Sequence, residues 1–214
     1  MSTLAQSERE ALSDLLDAVG PDAPTLCEGW STADLAAHLV VREGDPLAGP
    51  GMFVRPLAGI TERRMRRQLR DGNWTALVDR VRRGPQRATV AAIPGVDKAM
   101  NGMKFFIHHE DVRRAGDRPA APRPLKVSHE EELWRRAIML ARMVMRRSPV
   151  GIVLENALDP EERIRVRAGK DTVTLMGKPS EMVLWLSGRR AVAEVELVGT
   201  DEAVAALRAH TTSL

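Results

Sequence analysis

Up to Leu125 the apolar residues recur at helical spacing. Leu12, Leu15, Leu16 and Val19 form one stripe, which Gly20-Pro21 closes. Ser31-Thr32-Ala33-Asp34 has the form of a capping box with Asp in the place of Glu, and opens a helix running to about Glu43. Gly44 to Pro56 carries three Gly and three Pro and reads as a loop. Two shorter helices, Thr61 to Arg70 and Asn73 to Arg83, each begin on a polar cap. Val96 to Ala115 is the longest helical stretch, with Val96, Met100, Met103, Ile107 and Arg114 near one face and Gly116 as its stop. Arg118 to Leu125 holds three prolines and is the linker.

Beyond the linker the pattern changes. Ser128-His129-Glu130-Glu131 reads as a second capping box, starting a helix through Leu133, Trp134, Ile138, Ala141 and Met145. Val150 to Leu154, Arg163 to Arg167 and Thr172 to Met176 read as short strands. Pro179 suits the first turn of a helix carrying Met182, Val183, Trp185 and Leu186. Ala193 to Val198 alternates as a further strand, and Thr200 caps a last helix through Val204 and Leu207. A helix followed by β-β-β-α-β-α makes a small α+β domain. The predicted fold class is α+β, with a helical domain over 1–120 and a small α+β domain over 121–214.

Composition narrows the function classes. With 43% apolar and 29% charged residues the chain is an ordinary globular protein, not a disordered one. No run reaches the ~18 to 20 apolar residues of a membrane span, and the N-terminus has no apolar leader segment, so a cytoplasmic protein without membrane partners is expected. The single cysteine, Cys27, excludes a disulfide framework and a cysteine-rich zinc site. The net charge is only +3, but ten arginines against three acids lie between Arg55 and Arg87. That stretch reads as a polyanion-binding face or as a solvated helical surface; few aromatics accompany it and no nucleic-acid motif is present, which favours the surface.

Two places carry candidate chemistry. Leu35, His38, Leu39 and Arg42 fall at i, i+3, i+4 and i+7, so His38 points into the bundle beside two leucines. Lys104, His108 and Asp111 line one stripe of the long helix. Facing helices build metal sites in this way, although a lone histidine on an apolar face is more commonly a hydrogen-bonded core residue.

Two segments bear on that choice. Leu26-Cys27-Glu28-Gly29-Trp30-Ser31-Thr32-Ala33-Asp34-Leu35-Ala36-Ala37-His38-Leu39 resembles the W-[ST]-x-x-D-L-x-x-H-L signature of the DinB-like superfamily. Phe105-Phe106-Ile107-His108-His109-Glu110-Asp111-Val112-Arg113-Arg114-Ala115 resembles its second signature, and Gly177-Lys178-Pro179-Ser180-Glu181 to Trp185-Leu186-Ser187-Gly188-Arg189-Arg190 resembles the C-terminal domain of one branch. That branch is the mycothiol-dependent maleylpyruvate isomerase family of actinobacteria. The resemblance implies a four-helix bundle holding a divalent metal, zinc or similar, with His38 and His108 as ligands. It implies a low-molecular-weight thiol such as mycothiol as co-substrate, and an isomerase or transferase acting on a small electrophilic molecule.

One position departs from the pattern. The third ligand of the resemblance, a carboxylate four residues before the second histidine, is Lys104 here. Glu43, His109 or Glu110 would have to substitute, or the ammonium itself replaces the metal as the positive charge. In the latter case desolvation lowers the lysine pKa and makes Lys104, with His108, a catalytic pair for an anionic small molecule; otherwise Lys104 snorkels to solvent. A non-catalytic small-molecule-binding module is the remaining alternative. His109 and Glu110 are expected toward solvent or a subunit. Asp111 either fixes the His108 tautomer or pairs with Arg114 or Arg42. Cys27 precedes a Gly-Trp turn near the expected pocket; a thiol nucleophile there needs an activating base, with His38 eleven residues on, and more commonly such a cysteine is a small buried hydrophobe. Trp30 and Trp134 read as core. Arg42 and the Arg63-to-Arg70 cluster are the candidate receivers of a substrate or thiol carboxylate. The arginine-rich surface suits a monomer or a homodimer.

Overall fold

The first helix, α1 (Leu4–Val19), is entered through a reciprocal cap. Thr3 Oγ1 accepts from Gln6 N, and Gln6 Oε1 accepts from Thr3 N. In the computed structural model, residues 2–44, 58–70, 72–84 and 96–210 are described. They fall into two compact units, Met1–Ala120 and Ala121–Leu214. Among the described residues there are eight helices and four strands, an α+β protein. No described helix is long and apolar enough to cross a membrane.

The helical unit continues with α2 (Thr32–Gly44), α3 (Ala58–Arg70), α4 (Trp74–Arg83) and α5 (Val96–Arg113). The start of α2 is the box expected from sequence: Asp34 Oδ2 accepts from Ser31 N and Oγ at 3.0 and 2.9 Å. Asn73 Oδ1 caps α4 by accepting from Ala76 N. Thr61, by contrast, is no cap, because α3 begins three residues earlier at Ala58. The expected loop from Gly44 to Pro56 lies almost wholly outside the described residues. Four helices share the core: Leu12 and Leu16 of α1, Leu35 and Leu39 of α2, Val78 and Val81 of α4, and Phe105 and Val112 of α5. Helix α3 adds Leu69 against its edge. Burying such side chains is worth roughly 1.5–3 kcal/mol each.

Charges cross this apolar core in pairs. Arg9 makes two hydrogen bonds to Glu43, at 2.6 and 2.5 Å, and lies over the Phe105 ring. His109 Nδ1 meets Glu8 Oε2 at 3.0 Å. Glu110 accepts from Arg113 and from Arg114, which is itself fully buried. The expectation that His109 and Glu110 face solvent is therefore wrong: both are buried, each held by a charge from its own surroundings.

The second unit opens with α6 (Val127–Val144), whose cap position is Lys126 with no side-chain cap bond. The expected box at Ser128 does not form, because α6 starts at Val127 and Ser128 lies inside its first turn. The neighbouring Glu130 carboxylate accepts from the backbone N and the hydroxyl of Ser180, both at 2.9 Å. Strands β1 (Gly151–Asn156), β2 (Asp159–Arg167), β3 (Thr172–Gly177) and β4 (Glu196–Val198) form one sheet in the order β2-β1-β3-β4. The β1–β3 pair is parallel and the two outer pairs are antiparallel. A Cβ on Gly169 would collide with the backbone of Gly151, so the turn before β3 requires glycine. Helix α7 (Pro179–Leu186) starts on proline and is buried along its whole length. Strand β4 is shorter than the alternation from Ala193 predicts. Turn bonds from Val192 N and Ala193 N to Arg189 O, and from Glu194 N to Glu181, occupy that backbone first. Thr200 Oγ1 caps α8 (Asp201–Ala209) as expected.

Candidate functional site

Helices α2 and α5 bring His38 and His108 together, with ring centroids 5.6 Å apart in an edge-to-face arrangement. The Trp30 ring lies 5.0 Å from the His38 ring, centroid to centroid. Trp30 is thus only partly core; it also walls the histidine pair. The turn that carries it is built locally. Thr25 Oγ1 accepts from Cys27 N and donates to Trp30 O, and Gly29 takes φ +74°. Leu26 N donates to the carbonyl of Asp111 at 2.9 Å, which ties this turn to α5.

That tie brings Cys27 to the site. Asp111, fully buried, places one oxygen 3.0 Å from His108 Nδ1 and 3.3 Å from Cys27 Sγ. One carboxylate therefore holds both a ring nitrogen and the thiol. The donor atoms of Cys27, His108 and Asp111 all lie within 4.8 Å of one another. Cys27 is not merely a small hydrophobe, although it does pack against the core. Asp111 makes the bond to His108, and Arg114 donates to Glu110.

Positive charge gathers on the same two helices. Arg42 Nη2 donates to Asn101 Oδ1 at 3.1 Å, one turn before Lys104. Burial, and then the charge of Arg42, lowers the Lys104 ammonium to about 8. Burial is also the main cause that holds His38 at about 3, with His108, Arg42 and Lys104 adding to it. His38 is thus a neutral imidazole at neutral pH, while Lys104 stays mostly charged but gives up its proton readily. Lys104 is half-buried in this environment and does not snorkel free of it.

All four expected site residues, His38, Arg42, Lys104 and His108, therefore belong to one electrostatic neighbourhood. Glu43, His109 and Glu110 do not join the donor group; Arg9, Glu8 and the Arg113–Arg114 pair engage them. The Arg63-to-Arg70 cluster is an exposed groove on α3, lined by Gly59, Glu62, Arg63, Arg66 and Arg70, where Arg66 already pairs with Glu62. The residues that sequence reasoning undervalued are Cys27 and Trp30. Their one local signal was the Gly29 turn directly before the α2 cap.

Donor chemistry decides how a divalent ion fits here. An ammonium offers no lone pair, so Lys104 cannot complete a set with His38 and His108. A thiolate, an imidazole and a carboxylate are ligands that zinc takes, and Cys27, His108 and Asp111 supply all three. The site thus fits a divalent ion through a set other than the expected one.

Two solved structures share this architecture over nearly the whole chain. One is described as the crystal structure of the mycothiol-dependent maleylpyruvate isomerase, with a TM-score of 0.56 and 16% identity. It is matched over 92% of this chain and 95% of that one. The other is a histidine-to-alanine mutant of that isomerase, with a TM-score of 0.55, 15% identity and the same coverage. No family model and no curated protein matches the sequence. The fold is that of the mycothiol-dependent maleylpyruvate isomerase structures, as the sequence resemblance implies.

Proposed function

We propose that the protein is a thiol-dependent isomerase or transferase acting on a small, anionic, electrophilic molecule, with mycothiol as the thiol. One observation carries this reading. His38, His108, Lys104 and Arg42 share one neighbourhood on facing helices of a fold held in common with a mycothiol-dependent isomerase.

The roles follow from the chemistry of each group. Arg42 and the Lys104 ammonium attract the carboxylate of the substrate or the thiol. Lys104, with a pKa of about 8, also carries a proton between solvent and the reacting thiol near neutral pH. Neutral His38 lends a hydrogen bond or a lone pair without adding charge. Asp111 fixes the orientation of the His108 ring. A divalent ion would be held at His108 with Cys27 and Asp111, and when bound would lower the pKa of a coordinated thiol.

The test is turnover of maleylpyruvate and other small unsaturated carboxylates with and without mycothiol. Thiol-dependent conversion that Arg42→Ala lowers at least tenfold, mainly through KM, supports the reading. Conversion indifferent to the thiol, or none across the panel, refutes it.

A further inference from the structure

The position that lacks a ligand and the pair that gains one lie on the same helix. We propose that a divalent transition-metal ion, zinc by its donor chemistry, binds Cys27, His108 and Asp111 rather than the set of His38, Lys104 and His108. As a cofactor of the thiol-dependent reaction this site rests on that reading; as a binding site it rests on the geometry alone.

Charge favours this set. A dication beside the Lys104 ammonium and two neutral imidazoles would gather three positive charges with no anion among the ligands. The Cys27 thiolate and the Asp111 carboxylate instead cancel the charge of the ion. Lys104 and Arg42 then face a neutral centre, which they tolerate.

Geometry favours it as well. Zinc bonds of about 2.0–2.3 Å give a tetrahedral site ligand-to-ligand edges of roughly 3.3–3.8 Å. The two bonds at Asp111 measure 3.0 and 3.3 Å, and the whole group closes within 4.8 Å. Small movements suffice to admit the ion. On binding, the thiol proton leaves to solvent, the His108 ring proton is carried on Nε2 so that Nδ1 is free to ligate, and bonds to the metal replace both hydrogen bonds to Asp111. The thiol and the carboxylate are already held to each other by the backbone, since Leu26 N donates to Asp111 O next to Cys27. Asp111 is sealed in the core while Cys27 and His108 are partly exposed, so the ion is reached from their side. Three protein ligands with one open position are the pattern of catalytic zinc. A soft thiolate selects zinc over magnesium or calcium.

The experiment loads metal-free full-length protein with cobalt(II) and follows its absorption. One equivalent should bind with a near-ultraviolet thiolate-to-cobalt charge-transfer band. Cys27→Ser should abolish the band and weaken binding at least tenfold, Asp111→Asn should weaken binding comparably, and His38→Ala should keep the band. Circular dichroism verifies that each variant is folded. Cobalt bound without the band and released by His38→Ala would put the ion on the histidine pair and overturn the proposal, as would failure to bind cobalt or zinc. Thiol-dependent turnover by metal-free protein would sink this site as a cofactor site yet leave the functional reading standing. Metal on Cys27 without thiol-dependent turnover would do the reverse.

Discussion

The two units bury charge in opposite ways. In the helical unit, buried carboxylates are set against side chains: Glu43 accepts from Arg9 and Glu110 from Arg114, while Glu8 and Asp111 meet ring nitrogens of His109 and His108. In the α+β unit, two buried carboxylates receive backbone N–H groups. Glu130 receives Ser180 N at the start of α7, and Glu181 receives Glu194 N beside β4. A carboxylate that caps a backbone stabilises its unit with little else at stake. A buried ion pair gains little over an apolar one, because desolvation offsets most of the attraction. The helical unit thus carries charge that its stability does not require, and the candidate site lies within that set.

The largest effect should come from breaking a buried pair. Glu110→Gln leaves Arg114, 1% exposed, beside a neutral amide, and should cost about 3–5 kcal/mol in urea unfolding of the full chain. A loss under ~1 kcal/mol would mean that Arg114 finds another anion, and the contrast between the units would shrink. Next comes the cap: Glu130→Ala should cost about 1–2 kcal/mol. Equal losses at the two positions would erase the contrast.

Lys104 sharpens the comparison through pH. Its folded pKa of about 8 lies below its ordinary 10.5, so between these values the unfolded chain holds more of this proton. The stability contribution of this group therefore rises as pH increases from about 8 to about 10.5 and is flat below that window. Lys104→Met should remove that rise, read from urea midpoints across the window, and should stabilise the protein at pH 7 while lowering turnover. An unchanged pH profile would place the ammonium in water. The smallest effect is expected at the surface: Arg66→Ala, which breaks an exposed pair with Glu62, should change stability by no more than about 0.5 kcal/mol.

Where local rules act alone, the sequence was a good guide. The Ser31–Asp34 box, the Asn73 and Thr200 caps and proline at the head of α7 all occur as read, because each needs only residues within one turn. It misled where a distant group competes for the same atoms. The backbone before β4 turns toward Arg189 and toward Glu181, thirteen residues back, instead of extending the strand. The histidines were legible for the same reason as the caps: i, i+4 spacing places a side chain on a known face of its helix.

The amino-acid order by itself determined that the chain is a helical unit followed by a small α+β unit. It also determined that His38, Arg42, Lys104 and His108 lie on inward faces of two helices, and that no acidic side chain stands at position 104. These are consequences of periodicity and of residue identity. Only the tertiary structure decided that Cys27 joins Asp111 and His108. Cys27 and Asp111 are separated by 84 positions and meet within 3.3 Å because a glycine turn and one backbone hydrogen bond dock the Cys27 segment onto α5. Sequence spacing carries no record of such a contact, since it depends on the packing of two segments and not on the pattern within either.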